Sequence, residues 1–267
     1  MTEQVADDHD VRGTGPVLLV LPGGAGHPMG LEELTGRLAE RFTVVTYDPL
    51  GLAHGRLGRP VGEQRVRAWS DGAHRVLAGV VPRGGQAYVF GTSSGGVAAL
   101  DLLARHPEGL RHVVAHEPPV VEVLPDAAGQ RAMFQEVYAA YRAAGLDAAG
   151  ARLGAGLEER APGPLPGGDP LSPEEEAASP FALFLAHVLV PFTGYAPDVG
   201  ALRALSGRLT LGAGAGSKGQ LPHRTAAAAA RLCGAGLAEF PGGHLGAVEH
   251  PAEFAGLLTE VLLRTGR

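Results

Sequence analysis

The stretch from Ala87 to Leu100 constrains the fold more than any other part of the chain. Four strand-forming residues at 87–90 run directly into the pentapeptide Gly-Thr-Ser-Ser-Gly at 91–95, and an apolar helix-forming run follows at once. So sharp a turn needs flanking residues without a Cβ, which let strand and helix pack closely. Glycine accounts for 41 of the 267 residues, so the pentapeptide alone is weak evidence, and its position gives it weight. The stretch predicts a strand, a tight turn and a helix, with Ser93 exposed at the strand end.

Strands alternate with helices on both sides of this turn. Short apolar or β-branched runs, typical of buried strands, occur at 16–21, 42–47, 87–90, 112–116, 208–211 and 236–240. Helical patterns occur at about 31–41, 65–80, 96–105, 224–232 and 251–263. We therefore predict an α/β fold with a mostly parallel sheet that is flanked by helices on both faces.

The alternation breaks between about residues 120 and 205. Helical patterns at 133–146 and about 148–159 precede a Pro/Gly-rich loop, and Ser172 then caps a predicted helix with three acids in its first turn. The apolar run Phe181–Val190 fits a buried core helix or an insertion over a pocket, and the lack of strand signals favours the insertion. We predict a core domain of residues 1–119 and 206–267 and a helical cap at 120–205. Its candidate substrate contacts are Phe181, Phe184, Leu185, Val188, Phe192 and Tyr195.

Composition argues against several function classes. The net charge of −6 offers no basic field for nucleic acid or anionic lipid, and no apolar run is long enough for a membrane span. The single cysteine, Cys233, excludes an internal disulfide and, with no secretory pattern in the first fifteen residues, predicts a cytoplasmic protein. No ligand spacing or nucleotide motif is present, so we expect neither a metal nor a cofactor. The oligomeric state stays open, and a homodimer is one alternative.

A serine hydroxyl becomes an effective nucleophile when a neighbouring base takes its proton. His244 is the candidate base, because it lies in a Gly-Gly-His loop between the last predicted strand and the last helix. From there its side chain could reach back over the sheet edge to Ser93. Three other histidines could also border a pocket: His27, His187 and His250.

The base needs an acid that fixes its tautomer. The loop Gly212–Ser217, which follows the strand after the insertion, contains no carboxylate. Glu117 is the candidate acid, because it ends the strand after the Ser93 strand and should lie on the same rim of the sheet. The alternative is a strand-end glutamate that forms an ion pair or faces solvent. The backbone N–H groups of Ser94 and Gly24 are candidate donors to a developing oxyanion.

In the order nucleophile, acid, base, these residues resemble an α/β-hydrolase. The segments 90–96, 115–119 and 240–244, with His250-Pro251 after them, are similar to those of the zearalenone-type lactone hydrolases. The resemblance implies Ser93 as nucleophile, Glu117 as acid, His244 as base, and the amides of Gly24 and Ser94 as the oxyanion hole.

This chain departs from those lactonases and from the wider superfamily at two places. The only tryptophan, Trp69, lies outside the cap, where the lactonases carry one that packs on the substrate, and the loop at 48–55 lacks an Arg and a Ser that are frequent in the superfamily. We expect a cofactor-free serine hydrolase that cleaves an ester or lactone bond of a hydrophobic small molecule through an acyl-serine intermediate. The alternatives are a thioesterase or a secondary-metabolite tailoring enzyme with the same triad, and a non-catalytic ligand-binding protein on this fold.

Overall fold

The structure is a computed structural model that describes residues 8–24, 30–49 and 61–264. Within these ranges, seven strands form one sheet in the order β1-β3-β2-β4-β5-β6-β7, in which β1 is antiparallel to β3 and the other pairs are parallel. The strands are β1 (Asp8–Arg12), β2 (Val17–Leu21), β3 (Thr43–Asp48), β4 (Ala87–Thr92), β5 (Leu110–His116), β6 (Leu209–Gly214) and β7 (Gly236–Phe240).

Helices cover both faces of the sheet, as predicted. In β2, Leu18 and Val20 pack with residues of α1 and α11, whereas Leu19 and Leu21 belong to the cluster on the α2 and α3 side. The helices are α1 (Glu32–Leu38), α2 (Val66–Val80), α3 (Ser94–Arg105), α4 (Ala127–Leu157), α5 (Pro173–Ala178), α6 (Pro180–Leu183), α7 (Leu189–Thr193), α8 (Val199–Ala204), α9 (Leu221–Cys233), α10 (Gly246–Glu249) and α11 (Pro251–Arg264).

Strand β1 was not predicted. Its sequence, Asp-His-Asp-Val-Arg, has no apolar alternation, and it lies at the edge of the sheet with Val11 half exposed. A strand at the lateral edge of a sheet pairs with one neighbour only, and its side chains can stay exposed to solvent. Its sequence therefore need not show the apolar pattern of a buried strand. All six predicted strands are present as β2 to β7, with bounds that differ by a few residues at their ends.

Helices α4 to α8 form a long insertion between β5 and β6. The two helices predicted at 133–146 and 148–159 form the single stretch α4, which leaves helical geometry at Gly145. Ser172 caps α5 as predicted: its hydroxyl accepts from the Glu175 N–H, and the Glu175 carboxylate accepts from the Ser172 N–H. The insertion has an apolar cluster of its own, which includes Met133, Phe134, Val137, Tyr141, Leu185 and Leu189. The division into two domains at residues 120 and 205 stays a prediction.

Contacts at both ends hold this insertion on the sheet. The ring of Trp69 in α2 lies 4.5 Å from that of Phe192 in α7. The Tyr195 hydroxyl donates to Asp101 Oδ1 in α3 at 2.5 Å. Arg224 in α9 forms an ion pair with Asp126, next to the start of α4, at 2.9 Å. These contacts fix the insertion against helices α2, α3 and α9, which flank the sheet.

Candidate active site

Ser93 lies in the turn between β4 and α3, with backbone angles φ 51° and ψ −122°. A residue other than glycine is rarely found at positive φ, and such positions cluster at functional sites. Only glycine fits at 91 and 95: an added Cβ would lie 2.3 Å from the Gly95 carbonyl oxygen and 2.0 Å from that of Leu21, respectively. The predicted strand, tight turn and helix thus hold Ser93 at the end of β4.

His244 lies between Ser93 and Glu117. Its Nε2 is 3.2 Å from the Oγ of Ser93, and its Nδ1 is 2.9 Å from Oε2 of Glu117. The Glu117 side chain is fully buried, and 23% of the His244 side chain is exposed. With the proton on Nδ1, the imidazole donates to the carboxylate and Nε2 accepts from the serine hydroxyl. The structure brings together the three residues that the sequence suggested as nucleophile, base and acid.

The last residue of β6 and the loop after it supply the other hydrogen-bond donors to the Glu117 carboxylate. Its Oε1 accepts from the Gly214 N–H at 2.8 Å and from the buried Ser217 hydroxyl. Burial alone would raise the pKa of Glu117, but the hydrogen bond from His244, the nearby imidazoles and the Ser217 hydroxyl hold this pKa below its usual range. Ser217 was not singled out in the sequence, where this loop was notable for its missing carboxylate. Its position is the signal that could have found it: Ser217 follows the end of β6, and β6 pairs with β5, which ends just before Glu117.

A second histidine lies beneath the site. His116 is fully buried at the end of β5, and its ring is edge-on to those of Phe240 and Phe254, at 5.6 and 5.1 Å. Burial lowers the pKa of His116 to about 4. At neutral pH His116 is therefore uncharged, and His244 is the histidine whose ring contacts the Glu117 carboxylate.

Gly24 and Ser94 both line the cavity above Ser93. Ser94 is the first residue of α3, where the unpaired N–H groups of the helix carry a positive partial charge. Gly24 has φ 55° and follows β2, which is paired with β4. Both residues stay predicted donors to an oxyanion.

The site opens into a cavity of about 500 Å³ with a mostly apolar wall. The insertion contributes Phe134, Leu153, Gly154, Leu157, Phe181, Phe184, Leu189 and Phe192, and the core contributes Leu31, Leu221, Pro222, Leu245 and Val248. Glu117 and Glu158 are the acids of this wall, and its described residues include no lysine or arginine. The α4 and α9 residues were not predicted, although the apolar spacing of Leu153 and Leu157 on α4 is a usable signal.

Of the six predicted substrate contacts, Phe181, Phe184 and Phe192 line the cavity, and three do not. Leu185 is buried in the apolar cluster of the insertion, and Val188 packs in the core cluster of the sheet. The Tyr195 hydroxyl is bonded to Asp101. A π-helical turn at 184–188 lies within this segment, so simple helical periodicity does not predict which side chains share a face.

Of the other histidines that the sequence places near a pocket, His187 and His250 do not line this cavity. His187 Nε2 lies 3.2 Å from Glu176 Oε1 within the insertion, and His250 packs beside Gly242. His27 lies outside the described residues. Among the side chains that the structure describes, no group of three or more His, Cys, Asp or Glu is arranged to bind a metal ion. No described helix is both long and apolar enough to cross a bilayer.

The sequence profile of the alpha/beta hydrolase family matches residues 17–257. The chain belongs to this family. The predicted fold class, an α/β-hydrolase fold with a mostly parallel sheet and a helical insertion, is confirmed.

Relatives of this α/β-hydrolase include an uncharacterized hydrolase of Bacillus subtilis, YraK, which is 41% identical over 116 residues. The match spans 43% of this chain and 42% of YraK, so it covers less than half of either protein. Solved structures with the same fold include an esterase and an enol-lactonase. A thermophilic esterase from Thermogutta terrifontis has a TM-score of 0.68 at 16% identity, covering 97% of this chain and 94% of the esterase. The enol-lactonase from Burkholderia xenovorans has a TM-score of 0.58 at 14% identity, covering 96% and 95%.

Proposed function

We propose that this α/β-hydrolase is a serine hydrolase that cleaves a carboxylic ester or lactone bond of a hydrophobic small molecule. One observation carries the proposal: His244 contacts both Ser93 Oγ and the buried Glu117 carboxylate beneath an apolar cavity. A nucleophile, a base and an orienting acid within hydrogen-bond reach are the arrangement that acyl transfer requires.

The reaction begins when Ser93 Oγ attacks the substrate carbonyl carbon and His244 Nε2 takes the hydroxyl proton. The carbonyl oxygen becomes an oxyanion, which the amides of Gly24 and Ser94 stabilise. Glu117 stays ionised and stabilises the imidazolium. The bond to the leaving oxygen then breaks, and His244 returns the proton to that oxygen. An alcohol leaves, or in a lactone the new hydroxyl stays tethered to the acyl group.

Water completes the cycle. It attacks the acyl carbon while His244 takes one of its protons, and the acyl–Ser93 bond breaks as that proton passes to Ser93 Oγ. The products are a carboxylic acid and the free serine. No step needs a redox partner or a second substrate other than water.

The polarity of the wall favours a neutral substrate. Its described residues carry no cation that could bind a phosphate or a carboxylate, and Glu158 would repel one. This argues for esters and lactones over thioesters of a phosphorylated carrier. The names of the esterase and enol-lactonase neighbours fit this class. Within it, a zearalenone-type aromatic lactone is the finer candidate, because Phe181, Phe184 and Phe192 offer aromatic faces on the insertion side.

Hydrolysis of p-nitrophenyl butyrate and of an aromatic lactone tests the proposal. We expect Ser93→Ala to lower kcat by roughly 10⁴-fold or more and to lose covalent labelling by a fluorophosphonate. Ser206→Ala serves as the matched control, because Ser206 lies just before the start of β6 whereas Ser93 follows the end of β4. This variant should keep both the activity and the labelling. Ligand binding without turnover, or labelling that persists in Ser93→Ala, would contradict the proposal.

A further inference from the structure

On the side of helix α4 that faces the cavity, one position has no side chain, because it is a glycine. Leu153, Gly154 and Leu157 line the cavity, and a Cβ added at Gly154 would meet no heavy atom within 4 Å. Gly150 lies one turn earlier on the same face, where an added Cβ would lie 3.9 Å from the Phe181 ring. The absence of a side chain at Gly154 therefore leaves open space on the α4 side of the cavity.

The position of His244 indicates which half of a substrate would enter that space. His244 must deliver its proton to the leaving oxygen, so the leaving group has to lie beside Nε2. Leu245 and Val248 follow His244 in the chain and border the cavity, and they are 59% and 41% exposed. The leaving group accordingly points toward this open rim.

The acyl group should extend into the part of the cavity that neither the oxyanion nor the leaving group occupies. The oxyanion lies toward the amides of Gly24 and Ser94, and the leaving group lies toward Leu245 and Val248. The rest of the cavity is the apolar space beneath the insertion, with Gly154 in its wall. An acyl chain that extends away from Ser93 would be buried there.

We propose that Gly154 determines acyl-chain specificity, and that the substrates are neutral esters or lactones with a hydrophobic acyl group large enough to reach it. This inference rests on the proposed serine hydrolase function. The leaving group faces the exposed rim and contributes little to selection. The size of the residue at position 154 sets how much of the acyl chain can leave water.

Two ester series measure the two sides of the site separately. In one, p-nitrophenyl esters carry acyl chains from acetyl to octanoyl, and in the other, acetate esters carry alcohols from ethyl to octyl. Burial of one methylene is worth about a fourfold increase in kcat/KM, so wild-type kcat/KM should rise along the acyl series until the space is filled. It should change little along the alcohol series.

Phenylalanine at position 154 would fill the space. We expect Gly154→Phe to lower kcat/KM for the octanoyl ester by roughly 100-fold and for the acetyl ester by less than about threefold. Gly154→Val should give an intermediate loss and serves if the larger side chain impairs folding. Gly129→Phe is the matched control: it lies on the same helix, is exposed, has no atom within 4 Å of its added Cβ and does not line the cavity. It should leave both series unchanged.

Three results would overturn the inference. Equal losses for acetyl and octanoyl esters in both Gly154 variants would mean that the residue does not select chain length. A loss confined to the alcohol series would mean that the leaving group occupies this space. Absence of wild-type turnover on every ester would overturn the proposed function itself, which separates that failure from a misassigned Gly154.

Discussion

Two buried carboxylates in this protein have similar hydrogen bonds but different charged partners. Glu117 and Asp101 expose 0% and 2% of their surface, and each accepts from a fully buried serine hydroxyl. That serine is Ser217 for Glu117 and Ser70 for Asp101. Each carboxylate also has one more donor, the Gly214 N–H at 2.8 Å for Glu117 and the Tyr195 hydroxyl at 2.5 Å for Asp101. Burial and hydroxyl bonding therefore do not distinguish them.

The partner cation distinguishes them. Asp101 pairs with Arg105 at 3.1 Å, and a guanidinium keeps its charge at all accessible pH values. Glu117 faces His244, whose other nitrogen contacts Ser93 at the cavity. Asp101 is thus neutralised permanently and joins α2, α3 and the end of the insertion, whereas the charge of Glu117 is fully matched only when His244 has taken a proton. The partner, rather than burial, separates a structural carboxylate from one suited to catalysis.

The largest effect should come from Glu117→Gln. An amide facing Nδ1 favours the wrong imidazole tautomer, with the proton on Nε2, so His244 can no longer accept from Ser93. We expect kcat to fall by roughly 10³- to 10⁴-fold while the far-UV circular dichroism spectrum stays unchanged. Glu158→Gln, the same substitution in another cavity-lining glutamate, is the control and should retain activity. Activity near that of the wild type in Glu117→Gln would mean that Glu117 is not the acid that orients His244.

For Asp101→Asn the comparison predicts the opposite pattern. This substitution removes one of the two carboxylates that pair with Arg105 and leaves Asp71, at 2.8 Å, as the other. It also weakens the hydrogen bonds that Ser70 and Tyr195 donate to residue 101. We expect the free energy of unfolding in urea to fall by about 2–3 kcal/mol, with kcat of the folded enzyme changed by less than about threefold. Asp71→Asn removes the other carboxylate on Arg105, which is 39% exposed, and should cost less than about 1 kcal/mol. A large loss of kcat in Asp101→Asn would mean that the link to the insertion shapes the site.

Most of the fold could be predicted from sequence because its signals are local. A buried parallel strand such as Val17–Leu21 must be apolar on both faces, and the turn around Ser93 requires glycine at 91 and 95. The edge strand Asp8–Arg12 was missed because pairing with a neighbour, rather than burial, holds it in the sheet. Its sequence therefore resembles that of an exposed loop.

The site was only partly predictable, since much of it depends on how loops pack. The glycines at the end of β6 and just after it gave no hint of a function. They let this part of the chain approach the His244 loop so closely that a Cβ at Gly214 would lie 2.7 Å from the Gly243 carbonyl oxygen. This approach accompanies the contact of Ser217 with Glu117. The directions of Leu185 and Val188 depend on a π-helical turn, which periodicity does not reveal. The positions of Ser93 and Glu117 at the ends of strands could be predicted from sequence, but the contacts between the loops that follow β6 and β7 could not.

The two buried serines test the comparison at matched positions, and we expect a smaller loss of stability from each than from Asp101→Asn. Ser217→Ala leaves Glu117 Oε1 with the Gly214 N–H as its donor. We expect the free energy of unfolding at pH 7 to fall by about 1–2 kcal/mol and kcat to fall about tenfold, because the carboxylate is held less firmly against His244. Ser70→Ala, which removes the hydroxyl on Asp101, should lower stability to a similar degree and leave kcat unchanged.

The stability loss in Ser217→Ala should also depend on pH. Burial opposes ionisation of Glu117, but the bonds from His244 and Ser217 prevail and hold its pKa in the folded protein below the ordinary value of 4.5. A carboxylate with a depressed pKa contributes stability that is fully present above its unfolded pKa and is lost as the pH falls through the folded pKa. The difference between wild type and Ser217→Ala should thus be constant around neutral pH and shrink as the pH falls through the folded-state pKa of Glu117, first in the variant and then in the wild type. Urea unfolding across this range measures it. A difference that stays constant down to the pH of acid unfolding, or an unchanged kcat in Ser217→Ala, would mean that Ser217 supports the loop rather than the charge of Glu117.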